Sequence, residues 1–86
     1  MRKLIEAEAI LPYRRNTVNG IKNRSRIIQY LRDRPATTRE VSEYMGLSRS
    51  GVLYHLNLLK KYRVAVKRGR YWRIQVRQRK IDEYIE

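Results

Sequence analysis

Residues 47–74 of the 86-residue chain read LSRSGVLYHLNLLKKYRVAVKRGRYWRI, and this stretch decides the fold. Ser48 is a favoured N-cap residue, and the apolar residues after it recur at helical spacing. The sequence therefore predicts a helix that continues to about Tyr62. Its inward face is predicted to consist of Val52, Leu56 and Leu59. Gly51 lies in the first turn, where a glycine costs less than in the helix interior.

The second half of the stretch predicts a β-hairpin. Two runs of alternating apolar and polar residues, 64–67 and 71–76, flank a turn at Arg68-Gly69. The apolar face is predicted to carry Val64, Val66, Trp72, Ile74 and Val76. Trp72 could be read as a base-stacking residue, but this alternation places it in the core instead.

A first helix is predicted upstream, from about Ile21 or Lys22 to Arg34, and Pro35 ends it. Its apolar stripe consists of Ile21, Ile27, Ile28 and Leu31, and its arginines are expected to point elsewhere. The preceding residues, 14–20, are basic and turn-rich, which is typical of a loop or a flexible arm.

A short second helix is predicted between these elements. Thr37 and Glu40 form a capping-box pattern at its start, and Gly46 is a typical C-cap. Its inward residues are predicted to be Val41, Tyr44 and Met45. Only residues 46–48 join it to the next, longer helix, which is the helix-turn-helix pattern.

The order of elements predicts an α+β, mostly helical fold, the winged helix-turn-helix, with three helices plus a two- or three-stranded β-wing. Eighty-six residues make one domain at most. Residues 21–76 form this domain in the prediction. Residues 1–20 are predicted to be an N-terminal extension, a candidate dimerisation segment or arm. Residues 77–86 are predicted to form a short C-terminal helix, a second candidate for dimerisation.

The pattern Ser-x-Ser-x-Val, then His-Leu, then a hairpin with Gly-Arg-Tyr at its tip resembles the ArsR/MarR-like winged-helix transcription regulators over residues 21–76. The resemblance implies a regulator that binds double-stranded DNA, commonly as a homodimer on two half-sites. ArsR-type metal sensors use cysteine ligands, and this chain contains no cysteine. We therefore expect no metal and no other cofactor, and no small-molecule effector is evident.

The charge of the chain points to the same partner. Lysine and arginine number 21 against 8 aspartate and glutamate residues, a net charge of +13. A domain of this charge density repels itself unless it meets a polyanion, and nucleic acid is the commonest one. A merely solvated basic surface is the alternative. A membrane surface is disfavoured because the basic segments lack a continuous apolar helical face.

The N-terminal part of the second helix of a helix-turn-helix enters the major groove. The candidate DNA contacts there are Ser48, Arg49, Ser50, Leu53, Tyr54 and Asn57. Arg49 suits bidentate contact with guanine or a phosphate contact, and Ser50 suits either a DNA contact or a local backbone bond. Leu53 suits a thymine methyl or partial burial. Asn57 suits a phosphate.

The wing and the start of the second helix are candidates for contact with the DNA backbone or minor groove. The wing residues are Lys67, Arg68, Gly69, Arg70 and Arg73, and the helix residues are Thr38 and Arg39, beside free backbone amides. A second basic patch could draw on Arg14, Arg15, Lys22, Arg24 and Arg26, among which the sequence does not choose.

Apolar residues in the two end segments are candidates for a dimer interface, with packing onto their own domain as the alternative. These residues are Leu4, Ile5, Ile10, Leu11, Ile81, Tyr84 and Ile85. His55, the single histidine, is expected to be a packed and hydrogen-bonded residue. No spacing typical of a catalytic site occurs, so we expect no enzyme.

The sequence thus favours a sequence-specific transcription regulator. A nonspecific architectural or nucleoid DNA-binding protein and an RNA-binding or protein-docking winged helix are the alternatives. No apolar run reaches the roughly 18 residues that span a bilayer, and we expect a cytoplasmic or nucleoid-associated protein.

Overall fold

The computed structural model of the chain describes residues 6–11 and 16–75. Its elements are, in chain order, a 3₁₀ helix (Ala7–Ala9), α1 (Val18–Asp33), β1 (Ala36–Thr37), α2 (Thr38–Met45), α3 (Arg49–Lys61), β2 (Ala65–Arg68) and β3 (Tyr71–Ile74). The predicted C-terminal helix at 77–86 lies outside the described residues, as does Val76.

The predicted helix-turn-helix is confirmed in α2 and α3. The capping box is complete: Thr37 Oγ1 accepts from the Glu40 N–H at 3.1 Å, and Glu40 Oε1 accepts from the Thr37 N–H at 2.9 Å. Gly46 ends α2 with φ 67°, a left-handed conformation that a side chain would strain. Ser48 then caps α3. These local signals set the direction in which α3 leaves α2.

The first helix begins earlier than predicted. Residues 18–20 belong to α1, not to a loop or arm, and α1 ends at Asp33. Asn19 and Gly20 are typical turn residues, but Thr17 acts as the N-cap and its Oγ1 accepts from the Gly20 N–H at 2.9 Å. The cap outweighs the low helix propensity of these residues because it satisfies one of the free amides of the first turn.

The wing is a three-stranded antiparallel sheet in the order β1-β3-β2. Ala36 of β1 pairs with Trp72 of β3, and Ala65 of β2 pairs with Ile74 of β3. The prediction allowed two or three strands. The third one is the two-residue β1, which ties the link between α1 and α2 to the central strand of the wing.

The strand register corrects the predicted inward face of β2. Paired residues lie on the same side of a sheet, so Ala65 shares the core side with Ile74, whereas Val66 shares the outer side with its partner Arg73. Ala65 is buried, and Val64 and Val66 are only half-buried. The alternation was identified correctly but assigned to the wrong face, because the small Ala65 is a weaker hydrophobic signal than the two valines.

The core forms where the three helices and the sheet meet. Its largest fully buried side chains are Trp72, Ile27, Ile28, Leu56, Leu59, Val41 and Val52. Trp72 is 1% exposed, as predicted, and its Nε1–H donates to Thr38 Oγ1 at 2.9 Å. Tyr44 does not point inward as predicted. Its ring is exposed and stacks on Tyr30 of α1, with the ring centroids 4.2 Å apart.

The segment 6–11 packs against α1 through a buried arginine. Arg24 is 4% exposed, its Nε–H donates to the Ala9 carbonyl at 2.7 Å, and its Nη2 donates to Asn16 Oδ1 at 3.0 Å. The expectation that this arginine points away from the core is therefore wrong. Ala9 joins the core cluster, and Leu11 is also buried within its own chain.

The end of α3 directs the chain into the wing. The Val64 N–H donates to the Leu59 carbonyl at 2.8 Å, and the Arg63 N–H donates to the Lys60 carbonyl at 3.0 Å, which is the Schellman arrangement. Arg63 takes the left-handed position with φ 62°, where glycine is the usual residue. The turn is therefore closed by backbone bonds despite an unfavourable residue.

Candidate nucleic-acid interface

The predicted contact residues of α3 lie on its solvent side. Arg49, Ser50 and Asn57 are exposed, and Tyr54 is 57% exposed, whereas the inward residues of the same helix are fully buried. Leu53 differs from the others because it is half-buried and packs against the core cluster. The helix therefore presents a polar and aromatic surface that includes one half-buried apolar residue, Leu53.

The first turn of α3 is closely organised around Ser48. Its Oγ accepts from the Gly51 N–H at 3.2 Å and lies 3.2 Å from Ser50 Oγ. Both serines are exposed, so their hydroxyl groups remain open to solvent on one side. A Cβ atom on Gly51 would lie 3.3 Å from Ser48 Oγ, and no other atom outside the helix backbone is within 4 Å.

A contact between two buried side chains joins the inward side of α3 to α1. His55 is buried on α3, and its Nδ1 lies 3.5 Å from Nη1 of Arg24 on α1. Arginine can only donate, so Nδ1 is the acceptor and the neutral ring carries its proton on Nε2. Burial, and then the Arg24 charge, lower the pKa of His55 from its ordinary value of 6.5. The prediction of a packed, hydrogen-bonded histidine is confirmed.

The wing presents its cations in two directions. Lys67 extends over the core side, where its Nζ lies 5.5 Å from the centroid of the Trp72 ring in a cation–π contact. The turn consists of Gly69, with φ 61°, and Arg70, one residue later than predicted. The exposed arginines of the wing are Arg68, Arg70 and Arg73.

The start of α2 is less open to a phosphate than the sequence suggests. The carboxylate of Glu40 is bonded there, and the hydrogen bond from the Thr37 N–H, followed by that with the Thr37 side chain, lowers the pKa of Glu40 below 4.5. Its negative charge opposes an anion at the free amides. In addition, the Thr38 hydroxyl accepts from Trp72, and the Arg39 Nε lies 3.1 Å from Glu43 Oε1.

The basic side chains of α3 and the wing make no ion pair within residues 6–11 and 16–75. The ion pairs in that part of the chain join Arg32 to Glu6 and Glu8, and Arg39 to Glu43. The cations at the start of α3 and on the hairpin are thus uncompensated locally. Such a surface attracts phosphate groups and depends on salt concentration.

Sequence reasoning missed one aromatic residue on this side of the molecule. Tyr71 of β3 is 52% exposed and lies in a depression of about 430 Å³ lined by Pro35, Arg68, Tyr71 and Arg73. The alternation of residues 71–76 places Tyr71 on the polar face of the hairpin, which is the signal that identifies it.

The other predicted residues lie in several places. Lys22 and Arg26 are exposed on α1, with the Arg26 guanidinium 5.5 Å from the ring of Tyr44. Ile10 is 52% exposed. The following residues lie outside the described part of the chain: Leu4, Ile5, Arg14, Arg15, Ile81, Tyr84 and Ile85.

A comparison with protein families agrees with this geometry. Residues 22–66 match the family described as "Bacterial regulatory protein, arsR family", over just more than half of the chain. The chain belongs to the arsR family. The match spans α1, α2, α3 and the start of β2, so the return strand of the wing lies beyond it. No curated protein and no solved structure matched the chain.

ArsR-family membership identifies the domain as the DNA-binding domain of a transcription regulator, which is a non-enzymatic kind of domain. The cysteine ligands of ArsR-type metal sensors have no counterpart in this arsR-family chain. The described residues also hold no group of three or more His, Asp and Glu side chains suited to a metal ion. Among the same residues, no helix is long and apolar enough to cross a membrane.

Proposed function

We propose that the chain is a sequence-specific regulator of transcription that binds double-stranded DNA, with α3 in the major groove. The observation that carries this proposal is the division of α3 into two sides. Val52, Leu56 and Leu59 are fully buried, and the opposite side presents Arg49, Ser50, Tyr54 and Asn57 to solvent. A helix anchored on one side and polar on the other suits the readout of base edges.

Arg49 is the residue that we propose to read a base. It lies at the first position of α3, it is exposed, and it makes no ion pair within the described residues, so a guanine would not have to displace an acid. Tyr54, one turn and a half later, adds an exposed ring to the same side. Ser48 and Ser50 provide hydroxyl groups for phosphates around the helix start.

The wing is proposed to hold the DNA backbone or the adjacent minor groove. Arg68, Gly69 and Arg70 form the end of the hairpin, and a tight turn with exposed cations fits between phosphate strands. The wing is joined to α2 through β1 and through the hydrogen bond between Trp72 and Thr38. Its position relative to α3 is therefore set by the fold.

Homodimerisation on two half-sites is part of the proposal. Ile10 is an exposed apolar residue in the N-terminal segment, which is pinned to α1 through Arg24. Leu11, the neighbouring candidate, is buried in its own chain and has little surface left for a partner. The proposed interface therefore rests on Ile10 and on the end segments outside the described residues.

The decisive experiment is selection of bound sequences from a pool of random duplexes at physiological salt. We expect one enriched motif, arranged as two half-sites if the protein binds as a dimer. If random duplex competes equally with every selected sequence, the nonspecific architectural function replaces the proposed one.

Two variants test how the interface divides its work. Arg49→Ala should lower the ratio of specific to nonspecific affinity by about 5- to 100-fold, because a bidentate contact discriminates between bases. Arg68→Ala should weaken all duplexes together and reduce the salt slope by about one. Lys60→Ala, which removes an exposed charge at the other end of α3, is the matched control. Equal effects of Arg49→Ala and Arg68→Ala on specificity would contradict this division.

A further inference from the structure

The outer side of the wing carries a compact group of residues around Tyr71. The register pairs Tyr71 with Arg68 on one side and with Thr37 on the other. Arg73, two residues along the same strand, lies on the same face. Directly paired Cβ atoms lie about 4.5–5.5 Å apart, so the tyrosine ring is flanked by arginine side chains on neighbouring positions.

This group forms a shallow depression rather than a flat surface. Pro35, Arg68, Tyr71 and Arg73 line a volume of about 430 Å³. The Tyr71 side chain is half-exposed there, and no aromatic contact of its ring with another residue occurs among the described residues. The depression therefore offers a rigid apolar ring and a proline beside two cations, on strands held by backbone hydrogen bonds.

The charge of this face is uniformly positive. The three strands contain no acidic residue, and neither Arg68 nor Arg73 makes an ion pair within the part of the chain that the structure describes. Lys67, by contrast, lies on the core side over Trp72 and does not contribute to this face. An anion that also carries a planar ring is the complement of such a surface.

We infer that the Tyr71 depression binds an unpaired nucleotide, with the base stacked on the tyrosine ring and the phosphate between Arg68 and Arg73. In a duplex both faces of each base are covered by its neighbours, so only an unpaired base can offer a face to Tyr71. This site goes beyond the proposed duplex-binding function and does not rest on it. The nucleotide can come from a single strand or as a free mononucleotide.

The test uses the full chain and a fluorescent 12-nucleotide oligo(dT), which forms no duplex, with anisotropy as the readout. Tyr71→Ala should weaken binding of this strand about tenfold, because stacking of one base on an aromatic ring contributes on this order. Tyr71→Phe should keep the affinity because it keeps the ring. Tyr44→Ala, which removes another half-exposed tyrosine, on α2, is the matched control and should have no effect.

Three further measurements separate the explanations. An abasic strand of the same length should bind the wild-type chain about as weakly as oligo(dT) binds Tyr71→Ala, because it keeps the phosphates and lacks the bases. Displacement by thymidine monophosphate would support the site and indicate that free nucleotides reach it; Tyr71-dependent binding without such displacement would support a site for strands. Duplex affinity should be unchanged in Tyr71→Ala.

The inference is overturned if Tyr71→Ala and Tyr44→Ala have equal effects, if the abasic strand binds as well as oligo(dT), or if Tyr71→Ala weakens duplex binding to the same extent. A different variant tests the duplex-binding proposal, so its failure can be told apart from failure of the Tyr71 site. It would appear as an Arg49→Ala variant with unchanged duplex specificity, whatever Tyr71 does.

Discussion

Gly20 and Gly51 occupy the same position, the third residue, of α1 and α3. In each helix the glycine N–H donates to the hydroxyl of the N-cap residue, Thr17 or Ser48. Their surroundings differ. A Cβ on Gly20 would lie 2.9 Å from Thr17 Oγ1 and 3.1 Å from Nη1 of the buried Arg24, whereas a Cβ on Gly51 would meet only Ser48 Oγ, at 3.3 Å.

This difference predicts that alanine destabilises the chain at position 20 but not at position 51. Gly20→Ala should lower the free energy of unfolding by about 1–3 kcal/mol, because the new methyl group displaces the cap or the held Arg24. Gly51→Ala should leave it unchanged or raise it by up to about 1 kcal/mol, because the exposed Ser48 can shift and alanine favours the helix. Urea unfolding of both variants measures this, and changes of the same sign would contradict the explanation.

At the scale of elements, Arg24 and His55 join α1 to the back of α3, and the same arginine holds the segment 6–11. His55 is buried. Its ring centroid lies 5.3 Å from that of Tyr54, and the Arg24 guanidinium of α1 faces its Nδ1. Protonation of His55 would place two positive charges together in a buried position. The exposed side of α3 is therefore supported from its buried side by a contact that requires neutral histidine.

The support between α1 and α3 predicts a pH-dependent stability. The pKa of His55 is lowered in the folded chain, so below about pH 6.5 the unfolded chain binds more protons and the free energy of unfolding falls as the pH falls. His55→Gln, which keeps an acceptor for Arg24, should flatten this dependence. Glu40 titrates below 4.5 and contributes only at lower pH. A wild-type profile that is flat from pH 7 to about pH 5 would contradict the prediction.

The helices of this fold could be predicted because their signals are local. The capping box of α2, the glycine at its end and the serine before α3 are read directly from neighbouring residues. The prediction of the inward face of β2 was wrong because that face is set by the pairing of Ala65 with Ile74, nine residues along the chain. Arg24 was misjudged for a related reason, since its partners Ala9 and Asn16 are brought to it by the folding of the N-terminal segment.

In the candidate site, too, the features set by local sequence could be predicted, whereas those that depend on residues from other elements could not. The exposed side of α3 follows from helical periodicity alone, and the structure places Arg49, Ser50, Tyr54 and Asn57 where the periodicity indicates. The start of α2 is less suited to a phosphate than the sequence indicates. The Glu40 carboxylate, which is the sequence signal for the helix start, also places a negative charge there. The alternation of the strand predicts that Tyr71 is exposed. It does not predict the depression, because that also requires Pro35 from the link between α1 and α2.

At the scale of the whole molecule, a net charge of +13 opposes the association of two copies unless apolar contacts offset it. Ile10 is the apolar contact proposed for the homodimer. Ile10→Glu should raise the dissociation constant at least about tenfold, because it removes this contact and buries a carboxylate in the interface. Sedimentation at several concentrations measures the constant. Tyr44→Glu, at a half-exposed position on α2, is the control, and an equal effect there would contradict a role for Ile10.

The buried Trp72 is an intrinsic fluorescence probe of folding. It is the single tryptophan of the chain, it lies at the junction of the sheet, α2 and the core, and its indole N–H is held by Thr38. Its emission should be blue-shifted in the folded chain and should move to longer wavelength only when the wing separates from the helices. The emission wavelength of this one buried residue therefore reports whether the wing remains packed on the helices.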